Sequence, residues 1–182
     1  MTQRKSHDER RREIAETALS LAAGQGVGTV TTQAIADAMG VSQGTVFRHF
    51  ANRDEIFHEA VAVVKARVFV RLSPVFADKS TSGAVRLENL VRAHLGVIQD
   101  NRGVPALLFS DRLHQDDPKL KAEVRQMMKA YAGRVAGLII EGVEDGSIKP
   151  DVDPALLAQT VVTMIQGVVL RHLAGMKITD ES

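Results

Sequence analysis

The sequence contains no cysteine. This absence excludes a disulfide framework, a metal site built on thiolates and a cysteine nucleophile. It also fits a reducing compartment such as the cytoplasm. Aromatic residues are scarce, at 4% of 182 residues, and the 45% hydrophobic share consists mostly of Ala, Val, Leu and Ile. This composition favours helices packed on helices over a sandwich or a barrel.

Other signals are missing as well. No apolar run approaches the ~20 residues that a membrane-spanning helix needs. The first residues, MTQRKSHDERRR, lead into charge and not into an apolar core, so we expect no secretory signal. Alternation of apolar and polar residues never persists, and no hairpin pair is evident. We therefore expect an all-α protein of the cytoplasm with no membrane partner.

The charge is nearly balanced, with a formal net charge of +1 and 25% charged residues, which indicates a globular chain and not a disordered one. The basic excess is local. It lies between residues 4 and 12, where Asp8 and Glu9 are outnumbered by Arg4, Lys5, Arg10, Arg11 and Arg12. The run from Arg10 to Arg12 either follows a nucleic-acid backbone or forms a solvated helix face, with Glu13 and Glu16 as partners.

Helix signals with caps recur along the chain. Ser6 and Glu9 form a capping box, Pro74 is expected to end a long connector helix, and Gly24, Gly26 and Gly28 are expected to form a flexible link after the first helix. We predict eight helices, of which the first three are short. The first helix begins near Ser6, and the next five are predicted at 31–39, 43–49, 53–73, 87–100 and 104–114. The last two begin at Pro118 and Pro154, each after an aspartate cap, Asp117 or Asp153.

Residues 31–50, TTQAIADAMGVSQGTVFRHF, have the pattern of a helix-turn-helix unit. Ile35 and Ala36 supply a small apolar contact on the first helix, and Val46 and Phe50 supply the apolar side of the second. Gly40 between them suits the left-handed exit of the first helix. The apolar positions are therefore those that two short, steeply crossing helices require.

The other face of the second helix is polar, and a helix of this size fits the major groove of DNA. Gln43 can recognise an adenine edge, Thr45 can contact a thymine methyl or a phosphate, and Gly44 allows close approach. Further candidates for phosphate contacts lie nearby, namely Thr32, Arg48, His49 and Arg53. A purely structural helical corner is the alternative interpretation of this segment.

From about Asp8 to Val68 the sequence resembles the tetracycline-repressor (TetR) family of bacterial transcription regulators. The segment REIAETALSLAAGQGVGTVTTQAIADAMGVSQGTVFRHFANRDEIFHEAV carries the resemblance. It implies DNA contacts by Thr32, Gln43, Gly44, Thr45, Phe47, His49 and Arg53. The family usually has Tyr where this chain has Phe47, so Phe47 can offer only packing or apolar contact. In some homologues the N-terminal arm, here the arginine run, reaches a minor groove.

This resemblance implies two domains, a DNA-binding head at 8–68 and a helical regulatory and dimerisation body at 69–182. The last helix, PALLAQTVVTMIQGVVLRHL, is apolar nearly all round, so we expect one face in the core and the other against a second copy. Only a few residues follow Ala174, so the helices from 118 and 154 would have to form the interface. A homodimer would bind a near-palindromic operator.

A small apolar effector is expected to bind in the body. The candidate contacts lie on helices with many apolar residues and are His94, Phe109, Arg112, Met128, Tyr131 and Gln166. The alternative for each is that the side chain packs in the core or lies exposed at the surface. His94 either bonds a ligand or is satisfied inside the core. Met128 belongs to a methionine-rich cluster that can line an adaptable pocket or simply fill the core.

We find no catalytic motif, no metal site and no cofactor site. The stretch from His114 to Asp117 could suggest a metal, but Asp117 is needed as a helix cap and no second histidine lies at ligand spacing. The sequence therefore predicts a ligand-responsive dimeric repressor and not an enzyme. The alternative is a helical protein-interaction module or a small-molecule carrier without a DNA role. Duplex binding at two salt concentrations separates these alternatives.

Overall fold

The computed structural model describes residues 5–100, 103–108, 110 and 117–173. Within these ranges the chain forms α-helices and one short 3₁₀ turn, Val27–Thr29, and contains no strand, so the all-α prediction is confirmed. The helices, in chain order, are α1 His7–Gln25, α2 Thr32–Met39, α3 Gln43–Phe47, α4 Arg53–Ala77, α5 Gly83–Asp100, α6 Gly103–Leu108, α7 Pro118–Glu144 and α8 Pro154–Leu173.

The predicted helix starts are confirmed by their caps. The Ser6 hydroxyl accepts from the Glu9 backbone N–H at 3.2 Å, and the Glu9 carboxylate accepts from the Ser6 N–H at 2.7 Å. Asp117 accepts from the Leu120 N–H at 2.9 Å at the start of α7, and Asp153 caps α8 in the same way. These local bonds satisfy N–H groups that have no partner within the helix.

Several predicted boundaries are wrong. α1 is not short, since it spans 19 residues. α3 ends at Phe47, two residues earlier than predicted. α4 continues past Pro74 to Ala77, because Leu72 is buried and Arg86 binds the carbonyls of the last turn. The predicted stop at Gly24 is early, because α1 continues to Gln25 and the 3₁₀ turn follows; that this link is flexible stays a prediction.

The chain divides into two compact units. The first takes residues up to 66 together with 102–124, and the second takes 67–101 together with residues from 125 onward. In the first unit α6 packs on α1, and in the second α5 packs on α8. This grouping places the segment around α6 with the head, unlike the predicted division at 68. That 8–68 and 69–182 are separate functional domains stays a prediction.

The second unit contains a backbone contact between two helices and a buried ion pair that the sequence pattern did not predict. A Cβ on Gly83 would lie 2.3 Å from the Cα of Gly142, so the start of α5 meets the end of α7 backbone to backbone. The side chain of Arg86 is buried nearby and pairs with the carboxylate of Glu141, which also accepts from Lys79. These contacts join α4, α5 and α7 within this unit.

α8 has two unlike faces. Ala158, Val161, Val162, Ile165 and Val169 are buried, whereas Leu156, Met164 and Leu170 on the opposite face are 66%, 54% and 52% exposed. The stretch Pro154–Arg171 is long and apolar enough to cross a membrane by length and composition alone, with 28% of it buried. The expectation that no segment approaches membrane length is therefore too strong for this helix.

Candidate nucleic-acid interface

The helix-turn-helix core is formed by small and branched apolar side chains of α2 and α3. Ile35, Ala36 and Val46 are fully buried, and Phe50 is nearly so. The burial of these residues confirms the predicted inner face. Because Ala36 has only a methyl group, the two helix backbones can approach closely at this point.

Gly40 forms the turn between the two helices. Its φ of 64° and ψ of 34° lie in the left-handed region, as predicted for the exit of α2. A Cβ at this position would meet nothing within 4 Å, so the glycine is required by the backbone angle and not by packing. Ser42 then caps α3, with its hydroxyl accepting from the Thr45 N–H at 3.3 Å.

Two polar pairs lie on the outer side of α3. The Gln43 amide donates from Nε2 to Oγ1 of Thr32 at 2.9 Å, which links the starts of α3 and α2. Arg48 donates from Nη2 to Oγ1 of Thr45 at 3.0 Å. After its bond to Thr32, the Gln43 amide keeps one N–H and its Oε1, the donor and acceptor that an adenine edge requires.

Gly44 lies between these pairs and is exposed. A Cβ there would meet only the Ser42 Oγ, at 3.8 Å, so no packing constraint inside the protein explains the glycine. A glycine in a helix costs up to ~1 kcal/mol relative to alanine, and here it leaves the backbone open to close approach from outside. Phe47 beside it is 49% exposed, so its ring is available for apolar contact.

His49 was expected on the outer face, but the structure places it partly inside. Its ring lies 4.6 Å from the ring of His7, centroid to centroid, and its Nδ1 is buried without a hydrogen-bond partner among the described residues. Burial lowers the pKa of His49, and the neighbouring basic side chains of His7, Arg10 and Arg48 lower it further. A ring with this lowered pKa is neutral at pH 7, so it offers a phosphate less than a charged imidazolium would.

Arg53 has a clear role within the protein. Its Nη2 donates to the carbonyl of Val27 at 2.5 Å, and its guanidinium carbon lies 4.9 Å from the ring centroid of Phe57. Its Nε is buried without a partner among the residues described. Arg53 therefore fixes the 3₁₀ turn to the start of α4, and a phosphate contact by this side chain stays a prediction.

The three consecutive arginines of α1 have three different environments. Arg10 pairs with Glu13 at 2.9 Å, as the surface interpretation predicted. Arg11 is half-buried and contacts residues outside α1. Arg12 is exposed. Only Arg12 has the accessibility that a contact to a DNA backbone requires, because successive residues of a helix point in different directions.

The predicted effector contacts that can be located form two pairs in the second unit. His94 Nδ1 lies 2.8 Å from Tyr131 Oη, and the Gln166 amide donates to the sulfur of Met128 at 3.8 Å. Met128 and Tyr131 lie one turn apart on α7, so both pairs share one stretch of the helix. The remaining two candidates, Phe109 and Arg112, lie outside the described residues.

The His94–Tyr131 pair is uncharged. Burial lowers the pKa of His94 to about 4 and raises that of Tyr131. The hydrogen bond between them confirms that His94 is satisfied inside the protein.

His94 is expected to make the protein acid-sensitive. The folded state binds this proton less readily than the unfolded chain, so stability is full above pH 6.5, the ordinary histidine value, and falls as the pH drops towards 4. The loss between pH 7 and pH 5 should be about 2 kcal/mol. Urea unfolding of the wild type and of His94→Gln at both pH values measures this. Equal losses in the two proteins would contradict the assignment.

Among the residues that the structure describes, no group of three His, Cys, Asp or Glu side chains could hold a metal. The predicted capping role of Asp117 is confirmed. Its second oxygen lies 2.8 Å from Nε2 of His58, and Nδ1 of that ring lies 3.1 Å from a Glu123 oxygen. The two carboxylates therefore face opposite sides of one imidazole and do not converge on a common point.

Sequence analysis missed the roles of Arg11 and Arg86. Arg11 was grouped with its neighbours as a charged run, and Arg86 was not noticed. Their partners lie far away in the sequence, at Glu59 and Glu141. Because local periodicity carries no information about such pairs, no sequence signal could have separated these arginines from the exposed ones.

Models of two protein families match the chain. The first, described as bacterial regulatory proteins of the tetR family, matches residues 14–60, which include the helix-turn-helix. The second, the C-terminal domain of tetracyclin repressor-like proteins, matches residues 80–170. The chain belongs to the tetR family of bacterial regulatory proteins. This TetR-family protein is thus a DNA-binding transcriptional regulator, as the resemblance implied.

Similar proteins agree with this membership. The nucleoid occlusion factor SlmA of Marinomonas sp. (strain MWYL1) is 24% identical over 165 residues, which cover 91% of this chain and 83% of that protein. A transcriptional regulator from Saccharomonospora viridis, solved in complex with choline, superposes with a TM-score of 0.81 at 26% identity, covering 92% of this chain and 87% of that one. A TetR regulator from Haloarcula marismortui gives 0.79 at 21% identity, with coverages of 92% and 87%.

Proposed function

We propose that this TetR-family regulator is a homodimeric, ligand-responsive repressor of the cytoplasm that binds a near-palindromic operator through α3. The observation that carries the proposal is the outer face of α3, where Gln43, Thr45 and Arg48 surround the exposed and side-chain-free Gly44. The opposite face of the same helix is buried through Val46. A short helix anchored on one side and polar on the other fits a major groove.

In this proposal the named residues have separate tasks. Gln43 and Thr45 contact base edges, Arg48 contacts phosphate, and Thr32 orients the Gln43 amide through their hydrogen bond. Phe47 offers apolar contact to the sugar-phosphate wall. His49 and Arg53 contribute mainly by fixing the ends of α3 and the start of α4, because their side chains face protein groups.

The homodimer is supported by the exposed face of α8, which carries large apolar side chains among polar ones. Leu156, Met164 and Leu170 project there from a helix whose other face already fills the core of the second unit. On α7, Gly133 and Gly137 lie one turn apart with no atom near their missing side chains, and Ile140 is exposed. Small and apolar residues on two neighbouring helices suit a close helix–helix interface between copies.

Ligand response is supported by two uncharged pairs, which Tyr131 and Met128 of α7 form with His94 of α5 and Gln166 of α8 and which would favour a small apolar effector. A similar protein from Saccharomonospora viridis has been solved with a small molecule, choline. Effector binding would shift the protein towards a state that fits the operator poorly, and a coupling of ~1–3 kcal/mol changes affinity several-fold to a hundredfold. In this proposal α4, which is helical from Arg53 to Ala77, transmits the change.

Operator binding can be tested by selecting duplexes from a random-sequence pool and measuring their affinities by fluorescence anisotropy. We expect Gln43→Ala and Thr45→Ala each to lower the preference for the selected duplex over a scrambled one by about tenfold, since a good base contact contributes ~1–3 kcal/mol of discrimination. Gln126→Ala, an exposed glutamine of α7, should change nothing. If the wild type enriches no duplex, the proposal fails.

Dimerisation can be tested by placing a charge on the exposed face of α8. Met164→Glu should raise the dimer dissociation constant by roughly a hundredfold, because the carboxylate would be desolvated at the centre of an apolar interface. Val85→Glu, which charges an exposed apolar position on α5, is the matched control. Multi-angle light scattering across a dilution series measures both. A stable Met164→Glu dimer would argue against this interface.

A further inference from the structure

One arginine near the start of α1 contacts three other segments of the first unit. Nη1 of Arg11 donates to the backbone carbonyl of His49 at 2.5 Å. Nε and Nη2 donate to Oε2 of Glu59 at 3.2 and 2.9 Å. The guanidinium carbon lies 4.0 Å from the ring centroid of Phe50. A single side chain therefore joins α1, the residues that follow α3 and the second turn of α4.

The contact with His49 lies at the exit of the recognition helix. The N–H groups of His49 and Phe50 close the last turn of α3 by donating to the Val46 carbonyl at 2.9 and 3.1 Å. The His49 carbonyl lies just beyond that turn, where α3 provides no further N–H to donate to it. Arg11 supplies its donor, so the end of α3 is attached to α1 by a charge-assisted hydrogen bond.

Arginine suits this position better than any other cation. Its planar fork presents donors in two directions at once, one set towards Glu59 and one towards His49, while its flat face covers the buried Phe50 ring. The side chains of Arg11 and Glu59 are only 27% and 29% exposed, so solvent screens this ion pair less than it screens an ordinary surface pair. The neighbours Arg10 and Arg12 lack this arrangement, since Arg10 pairs within α1 and Arg12 is exposed.

We propose that Arg11 is a positioning residue for DNA recognition, which fixes the orientation of α3 through the His49 carbonyl and Glu59 without contacting DNA itself. The inference rests on the proposed function, because it concerns how α3 is presented to base edges. Hydrogen bonds to bases need close placement, whereas attraction to phosphates tolerates small shifts. Loss of Arg11 therefore reduces sequence preference more than general DNA affinity.

The test compares Arg11→Gln with Arg12→Gln in the full chain. Both remove one positive charge from the same helix, but only the first removes the bonds to His49 and Glu59. Anisotropy is measured at several salt concentrations on the duplex selected by the wild type and on a scrambled duplex. Arg11→Gln should lose about tenfold in preference for the selected duplex. Arg12→Gln can lose at most a phosphate contact, so it should weaken binding to both duplexes alike and keep the preference. A reduced salt slope in Arg11→Gln with unchanged preference would overturn the proposal, because that result marks a phosphate contact.

A second measurement does not depend on DNA. Hydrogen exchange of the His49 and Phe50 amides reports the stability of the last turn of α3 directly. Both amides should exchange about tenfold faster in Arg11→Gln than in Arg12→Gln, and Glu59→Gln should show a smaller change in the same direction. Unchanged protection at both amides would overturn the proposal even if no duplex is enriched. If Arg11→Gln does not fold, Glu59→Gln provides both comparisons, with a loss of about threefold expected.

Discussion

Replacing Arg86 with alanine should lower the free energy of unfolding by about 3 kcal/mol. Arg86 is a buried charged side chain of the second unit, with 3% of the residue exposed. Its guanidinium donates to the carbonyls of Val75 at 3.2 Å and Phe76 at 2.6 Å and pairs with Glu141. Its removal leaves two carbonyls at the end of α4 without their donor and takes from Glu141 one of its two cationic partners.

The cost is expected to arise mainly at the two carbonyls of α4 and not at Glu141. Glu141 is partly exposed and also accepts from Lys79, bonds that lower its pKa together with the Arg86 contact, so it can be rehydrated when Arg86 is lost. The two carbonyls belong to the last turn of α4, where no further helical N–H follows to bond them. Without Arg86, the last turn of α4 should therefore fray.

The matched control is Arg92→Ala. Arg92 pairs with Glu88 one turn away at 2.7 Å, but both side chains are mostly exposed, so the expected change is below ~0.5 kcal/mol. Urea unfolding can be followed by the fluorescence of Tyr131, because the chain has one tyrosine and no tryptophan and this tyrosine lies in the second unit. Equal midpoints for the two variants would show that Arg86 is not structurally important.

Replacing Gly103 with alanine should destabilise the first unit by about 3 kcal/mol. A Cβ at this position would lie 2.1 Å from the carbonyl oxygen and 2.7 Å from the carbonyl carbon of Leu19. Both are backbone atoms within α1, and Leu19 itself is buried, so neither can move aside by changing a rotamer. The added methyl group must therefore push α6 away from α1.

The control for Gly103→Ala is Gly96→Ala on α5. A Cβ there would meet only Nη2 of Arg71, at 3.7 Å, which is an ordinary contact with a flexible side chain. This change should stabilise the protein by up to ~1 kcal/mol, since alanine favours helix more than glycine does. Thermal unfolding followed by circular dichroism measures both variants. An unaltered midpoint for Gly103→Ala would mean that α6 does not need its close contact with Leu19.

Local chemistry made much of the fold predictable. The capping box at Ser6, the caps Asp117 and Asp153 and the left-handed Gly40 depend on residues at most four apart, and each was predicted and is confirmed. The inner face of the helix-turn-helix followed from helical spacing of apolar residues. These features need no knowledge of the rest of the chain.

The predictions failed where a distant partner decides the outcome. Pro74 ends many helices, but here Leu72 and Arg86 keep α4 helical to Ala77. His49 was expected on the outer face of α3, but it is half-buried and its ring lies 4.6 Å from that of His7, whereas its role in DNA binding stays a prediction. In both cases packing between elements overrode a local preference, as tertiary contacts routinely do.

The sequence by itself determined an all-α chain with a helix-turn-helix, its caps, its turn and the family to which it belongs, because these depend on neighbouring residues and their spacing. Only the tertiary structure decided which arginines are exposed and which are bonded inside, and that Thr32 orients the Gln43 amide. A charged side chain has the same local pattern whether its partner is solvent or a carboxylate 48 or 55 residues away. Folding in three dimensions supplies that partner.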